Sequence, residues 1–139
     1  MTRGETPPVA LVVVSHSDLL ARGVAELAGQ MTGGTVPITP VGGAEDGSLG
    51  TSAARIEAAL RDLLGRGHAV LILLDLGSAA MNAALALELL PEEQRARVQV
   101  ADAPLVEGAV LAAVAAAGGD DLESVAREAA TGRDMPKGH

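Results

Sequence analysis

The sequence predicts an α/β domain with an open parallel sheet of four strands, in the order 2-1-3-4, and with helices on both faces. Residues 9–14 and 68–75 are continuous apolar runs, the pattern of strands that are buried on both faces. Most predicted strands are followed by a polar turn and then by apolar residues at helical spacing. No internal repeat or low-complexity linker interrupts this alternation, so the pattern indicates one domain.

The first two strands are expected to occupy different positions in the sheet. The strand at residues 9–14 is rich in β-branched residues, and Ser17 is a plausible N-cap for a helix over residues 18–31. Residues 35–41 predict a weaker strand that contains two prolines. Because proline lacks the N–H that a central strand needs, this strand is placed at a sheet edge.

The second half of the chain continues the alternation of strands and helices. Pro104 suits the first position of an apolar helix, and Asp120 with Glu123 resembles a capping box that opens the last helix. The other predicted elements are a loop at 42–50, a helix from Thr51 or Ser52 to Gly65, a strand at 68–75, a helix at 79–90 capped by Ser78, a polar turn at 91–97, a strand at 98–101, and helices ending at Ala117 and Thr131.

The predicted domain covers residues 9–131 of a chain of 139. Residues 1–8 are a short polar N-terminal extension, and residues 132–139 are expected to be a frayed C-terminal tail. His68 stands directly before a strand and after turn residues, which predicts a solvent-facing histidine.

Composition excludes several classes of function. The net charge of −8 at pH 7 argues against nucleic acid and against an anionic membrane surface as partners. With no cysteine and no aromatic residue, the chain has no thiol chemistry and no platform for stacking a base or a flavin. The only lysine is Lys137, in the predicted tail, so a P-loop lysine is missing from the domain. The run at 9–14 is too short for a signal or a membrane span, so a cytoplasmic protein is expected.

Polar residues at the ends of two strands predict an active site. Ligands of open parallel sheets bind at the carboxyl ends of the strands where the strand order reverses, here between strands 1 and 3. His16 follows strand 1 and Asp75 ends strand 3, so we expect His16 to accept a phosphoryl group while Asp75 orients its ring. Backbone N–H groups in the loops and helix N-termini around His16 would bind the phosphoryl oxygens. These phosphate-binding candidates are Ser17, Gly50, Thr51, Gly77 and Ser78.

Two other interpretations stay open from placement alone. In one, His16 only caps neighbouring loop groups and Asp75 only forms a turn. In the other, Asp75 and Asp18 or Asp46 hold a magnesium ion, as carboxylates do in receiver domains. A receiver domain also needs a lysine at a later strand end, and residues 101–103 provide none, so no metal is expected.

Four blocks of the sequence together resemble one family. They are LVVVSHSDLLARGVAELAGQM (11–31), GGAEDGSLGTS (42–52), VLILLDLGSAAMNAALALELL (70–90) and ADAPLVEGAV (101–110). In this order they are similar to the phosphotransfer subunits of phosphoenolpyruvate-dependent dihydroxyacetone kinases, which are relatives of the mannose-class enzyme IIA domains. Any one block alone would be a weak signal, whereas the set covers most of the chain.

This resemblance implies a flavodoxin-like sheet and a phosphotransferase subunit that works as a phosphohistidine carrier, with His16 as the phosphorylated residue. The phosphoryl group would arrive from the histidine-containing phosphocarrier protein. It would leave to ADP held on the nucleotide-binding subunit of the kinase, so no cofactor is expected on this chain. Family members are often homodimers, and the apolar helix at residues 105–117 is a candidate interface.

Two alternatives accompany this interpretation. The enzyme IIA domain of a mannose-class sugar transporter shares the fold and the histidine relay. Residues 75–79, DLGSA, favour the kinase subunit, because the transporter domains carry extra glycines and a proline after the acid. The second alternative is a non-catalytic regulatory module that binds a small anion in the same crevice.

Overall fold

The computed structural model describes residues 7–138, so the first six residues of the predicted extension and His139 lie outside the described residues. It contains a four-stranded parallel sheet in the order β2-β1-β3-β4, which confirms the predicted fold class and strand order. The elements are β1 (Val9–Ser15), α1 (Asp18–Gln30), β2 (Ile38–Gly42), α2 (Ala53–Gly65), β3 (Ala69–Leu74), α3 (Ala79–Glu88), α4 (Glu92–Arg95), β4 (Val98–Val100), α5 (Leu105–Ala117), α6 (Leu122–Ala130) and a 3-10 helix (Thr131–Asp134).

The two central strands, β1 and β3, are covered on both faces because their side chains are apolar on both faces. One face packs against α1, α5 and α6, and the other packs against α2 and α3. Successive β1 residues alternate between these two cores: Val9, Leu11 and Val13 lie in the first, and Ala10, Val12 and Val14 lie in the second. The carboxyl ends of β1 and β3 therefore emerge side by side at one edge of the sheet.

Strand β2 lies at the sheet edge, as its prolines predict, and pairs only with β1. It begins at Ile38, three residues later than predicted. Pro37 contributes only its carbonyl oxygen, which accepts a hydrogen bond from the N–H of Leu11 at 2.9 Å. Pro40 sits opposite Val13 within the strand.

Two local predictions in the second half differ from the structure. The predicted polar turn at 91–97 contains a helical turn, α4, with two glutamates in its first turn that suit the helix dipole. The last helix is capped by Asp121 and not by Asp120, because the Asp121 carboxylate accepts the N–H of Ser124 at 2.9 Å. The predicted capping box is thus wrong by one residue.

One prediction of exposure is wrong, and the predicted tail is packed against the domain at its start while residues 133–138 are exposed. His68 is buried because the turn before β3 packs against the residues that precede β1. Its Nδ1 lies 2.9 Å from the carbonyl oxygen of Pro7. The expected frayed tail is packed in part, since Gly132 is buried against α5 and Arg133 donates to the backbone oxygen of Asp102 at 2.6 Å. Lys137 also forms an ion pair with Glu107 at 2.6 Å.

The apolar composition of α5 is explained mainly by burial within the chain. Its small residues lie in the core against β1, α1 and α6, and only two of its large apolar side chains, Val106 and Val114, are strongly exposed. The homodimer expected through this helix stays a prediction. Among residues 7–138, no helix has the length and apolar character to cross a membrane.

Candidate functional site

His16 lies in the two-residue connection between β1 and α1, at the edge where the strands end. The connection is short because Ser17 begins the next helix at once: its hydroxyl accepts the N–H of Leu20 at 3.2 Å, as predicted for an N-cap. The His16 backbone is therefore fixed by the buried strand β1 on one side and by the capped helix α1 on the other.

The structure brings His16 and Asp75 together, as the strand order predicts. Nδ1 of His16 lies 3.0 and 3.2 Å from the two carboxylate oxygens of Asp75, and the His16 backbone N–H donates to the same carboxylate at 2.9 Å. Because a carboxylate only accepts, the ring proton is on Nδ1 and the lone pair of the neutral imidazole is on Nε2. The side chain of His16 is 28% exposed and that of Asp75 is 11% exposed.

The surroundings of Asp75 keep it ionised. Burial raises the pKa of the carboxyl, but hydrogen bonds from the His16 backbone and ring, the Ser15 hydroxyl and the Leu76 N–H outweigh burial, so the pKa of Asp75 lies below its ordinary value. The carboxylate is thus available at neutral pH to hold the imidazole and to stabilise positive charge on it.

We expect Asp75→Asn to destabilise the protein at pH 7 by about 2 kcal/mol, because the amide presents a donor to groups that already donate. Since the pKa of Asp75 is depressed on folding, its stabilisation is present above the ordinary aspartate pKa of 3.8 and is lost as the pH falls below it. Urea denaturation from pH 7 to pH 2.5 measures the difference between the wild type and Asp75→Asn, which should shrink below pH 4. The matched control is Glu26→Gln on the exposed face of α1; a difference that stays constant with pH contradicts the expectation.

Ser78 binds the imidazole and does not cap α3. Its backbone is already helical, with φ −64° and ψ −21°, and its side chain makes no hydrogen bond to an N–H of the first turn. Its hydroxyl oxygen instead lies 3.0 Å from Nε2 of His16. Since Nε2 carries the lone pair, Ser78 donates to it, and both ring nitrogens of His16 are oriented by hydrogen bonds.

The loop between β2 and α2 closes the third side of the site. The N–H of Gly50 donates to the carbonyl oxygen of His16 at 2.9 Å. The next residue, Thr51, accepts a hydrogen bond at its hydroxyl oxygen from the side-chain amide of Asn82, at 2.6 Å. Arg55 of α2 holds the start of this loop, because its guanidinium donates to the carbonyl oxygen of Gly42 at 2.6 Å.

The predicted phosphate-binding N–H groups fall into two sets. Those of Ser17 and Gly50 already donate, to the Ser15 hydroxyl at 3.0 Å and to the His16 carbonyl, so they position the site and are not free donors. Those of Thr51, Gly77 and Ser78 have no acceptor within residues 7–138. They precede α2 and α3, where N–H groups suit an anion, so their predicted role in phosphate binding stays a prediction.

The acids considered for magnesium are engaged elsewhere. Asp18 pairs with Arg22 at 3.0 Å, and Asp46 accepts from both the N–H and the hydroxyl of Ser48. Nowhere in the described range 7–138 do three or more histidine, aspartate or glutamate side chains come together in a group that could hold a metal ion.

Sequence reasoning missed two residues of this site. Ser15 is fully buried and donates to Asp75 at 3.0 Å, but its position directly after an apolar run gave no sign of that contact. Asn82 is the chain's only asparagine and stands in the apolar stretch AAMNAALALELL. That isolated amide in an apolar helix was a usable signal, because such a polar side chain needs a partner.

Strongly exposed apolar side chains stand beside the site residues in the sequence. Leu19, Leu49, Leu76 and Met81 each lie within a few residues of a site residue along the chain, and their exposed fractions run from 60% to 82%. We call these four side chains the apolar rim. Apolar side chains grouped around a polar centre on a surface are typical of a protein-binding site.

Comparison with known proteins gives a consistent result at the family level. Residues 10–126 match the protein family described as PTS system fructose IIA component. The chain is 42% identical over 120 residues to an Escherichia coli (strain K12) protein, the PEP-dependent dihydroxyacetone kinase, phosphoryl donor subunit DhaM. The chain spans about a quarter of that protein's length, with 25% of it covered. It is 39% identical to the PEP-dependent dihydroxyacetone kinase 2, phosphoryl donor subunit DhaM, of Listeria innocua, covering 86% of this chain and 95% of that protein.

Two solved structures share the fold. The crystal structure of unknown function protein EF1359 superimposes with a TM-score of 0.78 at 37% identity, covering 87% of this chain and 92% of that one. A sigma-54 interaction domain protein from Enterococcus faecalis gives a TM-score of 0.70 at 16% identity, over 94% of this chain and 93% of that one, and supports the fold alone.

Proposed function

Because the chain belongs to the PTS fructose IIA component family, we propose that it is a phosphohistidine carrier, the phosphoryl donor subunit of a phosphoenolpyruvate-dependent dihydroxyacetone kinase. The names of its relatives support the kinase assignment. The observation that carries the proposal is the orientation of His16. Nδ1 is held by Asp75, so the lone pair is on Nε2, the nucleophilic nitrogen, which contacts the Ser78 hydroxyl.

The proposed chemistry is one transfer to His16 and one transfer from it. The Nε2 lone pair attacks the phosphorus of a donor phosphohistidine, a new N–P bond forms, and the donor's P–N bond breaks with its electron pair returning to the donor imidazole. The ring keeps its Nδ1 proton, so the phosphorylated imidazole is positively charged and is stabilised by Asp75. For the attack to occur, the Ser78 hydroxyl first turns from Nε2 to a phosphoryl oxygen, which frees the lone pair, and the N–H groups of Thr51, Gly77 and Ser78 supply further donors.

In the second step an oxygen of the ADP β-phosphate attacks phosphorus, and the N–P electron pair returns to Nε2. The donor in the first step is the histidine-containing phosphocarrier protein, and ADP is bound by the nucleotide-binding subunit of the kinase. This chain binds no cofactor in the scheme. The apolar rim supports docking of proteins on this chain, since exposed apolar side chains next to the site residues are typical of a surface that binds a partner.

We expect Leu49→Ala and Leu76→Ala each to lower the second-order rate constant of phosphoryl transfer about tenfold, because exposed apolar anchors beside the reacting atom contribute to docking. The rate at saturating partner should change little, since neither side chain contacts His16. Rapid-quench transfer measured against partner concentration separates the two quantities. The control is Val114→Ala, a truncation of an exposed apolar side chain in the second half of α5; an equal loss in that variant contradicts a role for the rim.

The direct test is reconstitution with purified components. The chain is incubated with labelled phosphoenolpyruvate, enzyme I and the phosphocarrier protein, and the product is examined for an acid-labile, base-stable phosphoryl group on His16. The labelled chain is then offered the ADP form of the kinase subunit, with formation of dihydroxyacetone phosphate as the readout. If the wild-type chain acquires no label in this experiment, a phosphohistidine carrier is excluded and only the anion-binding regulatory module remains.

A transporter enzyme IIA domain is the second candidate, because the matching family is described by its fructose IIA component. That function predicts transfer from phosphorylated His16 to a transporter IIB protein. Offering both acceptors to the same labelled preparation decides between them. Rapid transfer to the IIB protein with none to the kinase subunit would replace the proposal.

A further inference from the structure

We propose that Asn82 is a positioning residue, which fixes the Thr51 hydroxyl as a donor to the phosphoryl group on His16. This inference rests on the proposed function, since it concerns the group that His16 carries. It starts from a closed ring of contacts that joins the three loops around the imidazole.

The ring runs through side chains and backbone at hydrogen-bonding distance. Ser78 contacts Nε2 of His16 at 3.0 Å, and Asn82 lies one helical turn further along α3 on the same side. Asn82 donates to Thr51 at 2.6 Å, and Gly50, next to Thr51, donates back to the His16 carbonyl at 2.9 Å. Thr51 therefore links the loop after β2, in which Gly50 contacts the His16 backbone, to helix α3, whose N-cap position holds Ser78, which contacts the His16 ring.

The direction of the Asn82 hydrogen bond decides what Thr51 can do. A threonine hydroxyl has one proton to donate and an oxygen that accepts. Because Asn82 donates into that oxygen, the Thr51 proton is not used in this bond. Within residues 7–138 the Thr51 hydroxyl has no acceptor of its own. A phosphoryl oxygen on the adjacent imidazole is an acceptor that would complete it.

Asn82 is suited to this task because it is half-buried and isolated among apolar residues. An amide in such a place has few alternative partners, so the Thr51 contact is held in one geometry. A hydroxyl fixed in advance toward the negative oxygens of a transferring phosphoryl group lowers the barrier without reorganisation during the step.

The test uses phosphoramidate as the phosphoryl donor, so it does not depend on any protein partner. In this reaction the donor's P–N bond breaks, ammonia leaves, and the N–P bond to His16 forms. The measured quantities are the rate of phosphohistidine formation, followed by phosphorus NMR, and the melting temperature. Failure of the proposed relay with intact labelling by phosphoramidate would sink the relay but not this inference.

Asn82→Asp is the informative variant. The carboxylate has the same shape but only accepts, so it draws the Thr51 proton to itself and keeps the link while removing the donor. We expect phosphorylation to slow about tenfold, the size of one hydrogen bond to a charged group, with a melting temperature close to that of the wild type. Asn82→Ala should slow it less, because the hydroxyl is then unoriented but can still donate.

A double-mutant cycle separates positioning from simple charge repulsion. Thr51→Val should slow phosphorylation about as much as Asn82→Asp does, and adding Asn82→Asp to it should have little further effect. Thr51→Ser keeps the hydroxyl and should recover most of the rate that Thr51→Val loses, and Glu88→Gln on α3 serves as the neutral control. The inference is overturned if Asn82→Asp reacts at the wild-type rate, or if its effect is undiminished in the Thr51→Val background.

Discussion

His16→Ala should abolish phosphoryl acceptance from both the phosphocarrier protein and phosphoramidate. The imidazole provides the nucleophile at the junction of the three loops, because the Asp75 carboxylate is occupied by hydrogen bonds from its neighbours, Ser15 is fully buried, and the Ser78 hydroxyl contacts only that same ring. The loss should therefore reach the detection limit, at least about 10⁴-fold. Label transfer followed by mass mapping of the phosphorylated peptide measures it.

The fold of His16→Ala should be preserved, because the ring is partly exposed and β1 and α1 are held by contacts that do not involve it. Asp75 keeps its bonds from Ser15, Leu76 and the backbone of residue 16. Circular dichroism and a melting curve check this. His139→Ala is the matched control and should label normally. A His16→Ala chain that still carries an acid-labile phosphoryl group would mean that another residue is the acceptor.

Gly42→Ala should be the most damaging single methyl addition in the site. A Cβ at Gly42 would lie 2.5 Å from Cα of Asp18 and 2.6 Å from the carbonyl oxygen of Ser17, both backbone atoms that cannot rotate away. Either β2 or the start of α1 must move, at a cost of about 3 kcal/mol, equivalent to a fall of about 10 °C in melting temperature.

The same displacement should impair phosphorylation, because Ser17 and Asp18 directly follow His16. Thermal unfolding and phosphoramidate labelling are measured on the same preparation. The control is Gly23→Ala in the middle of α1, where nothing lies within 4 Å of the added Cβ and alanine favours the helix. A Gly42→Ala variant as stable as the wild type would show that the two elements are not packed as closely as described.

Most of the fold follows from strong local patterns in the chain. The central strands are predictable because each has six consecutive apolar residues, and the edge position of β2 follows from its prolines. The paired positions of His16 and Asp75 follow from parallel topology, since both stand where adjacent strands end. These are properties of residues close together in sequence or of the strand order.

The features that could not be predicted depend on contacts between distant segments. His68 is buried because Pro7, which precedes β1, packs against it, and no residue near position 68 indicates that contact. Ser78 resembles a helix cap in sequence, but its hydroxyl is directed to a ring 62 residues away. The pair of Thr51 and Asn82 joins the loop after β2 to helix α3, and the two residues are 31 positions apart in the chain. Chemical groups of the site were thus identified more readily than the partners that orient them.

The closed ring around the imidazole also affects how the protein would lose activity. Asp75 and Ser78 reach His16 across 59 and 62 residues of chain, and Gly50 reaches it from the loop that follows the edge strand β2. Detachment of that edge strand, a small opening compared with global denaturation, would release one side of the ring while the central strands remained paired. Chains damaged in this way would stop accepting label before their secondary structure changed, so phosphorylation competence would be an early indicator of heat or denaturant stress.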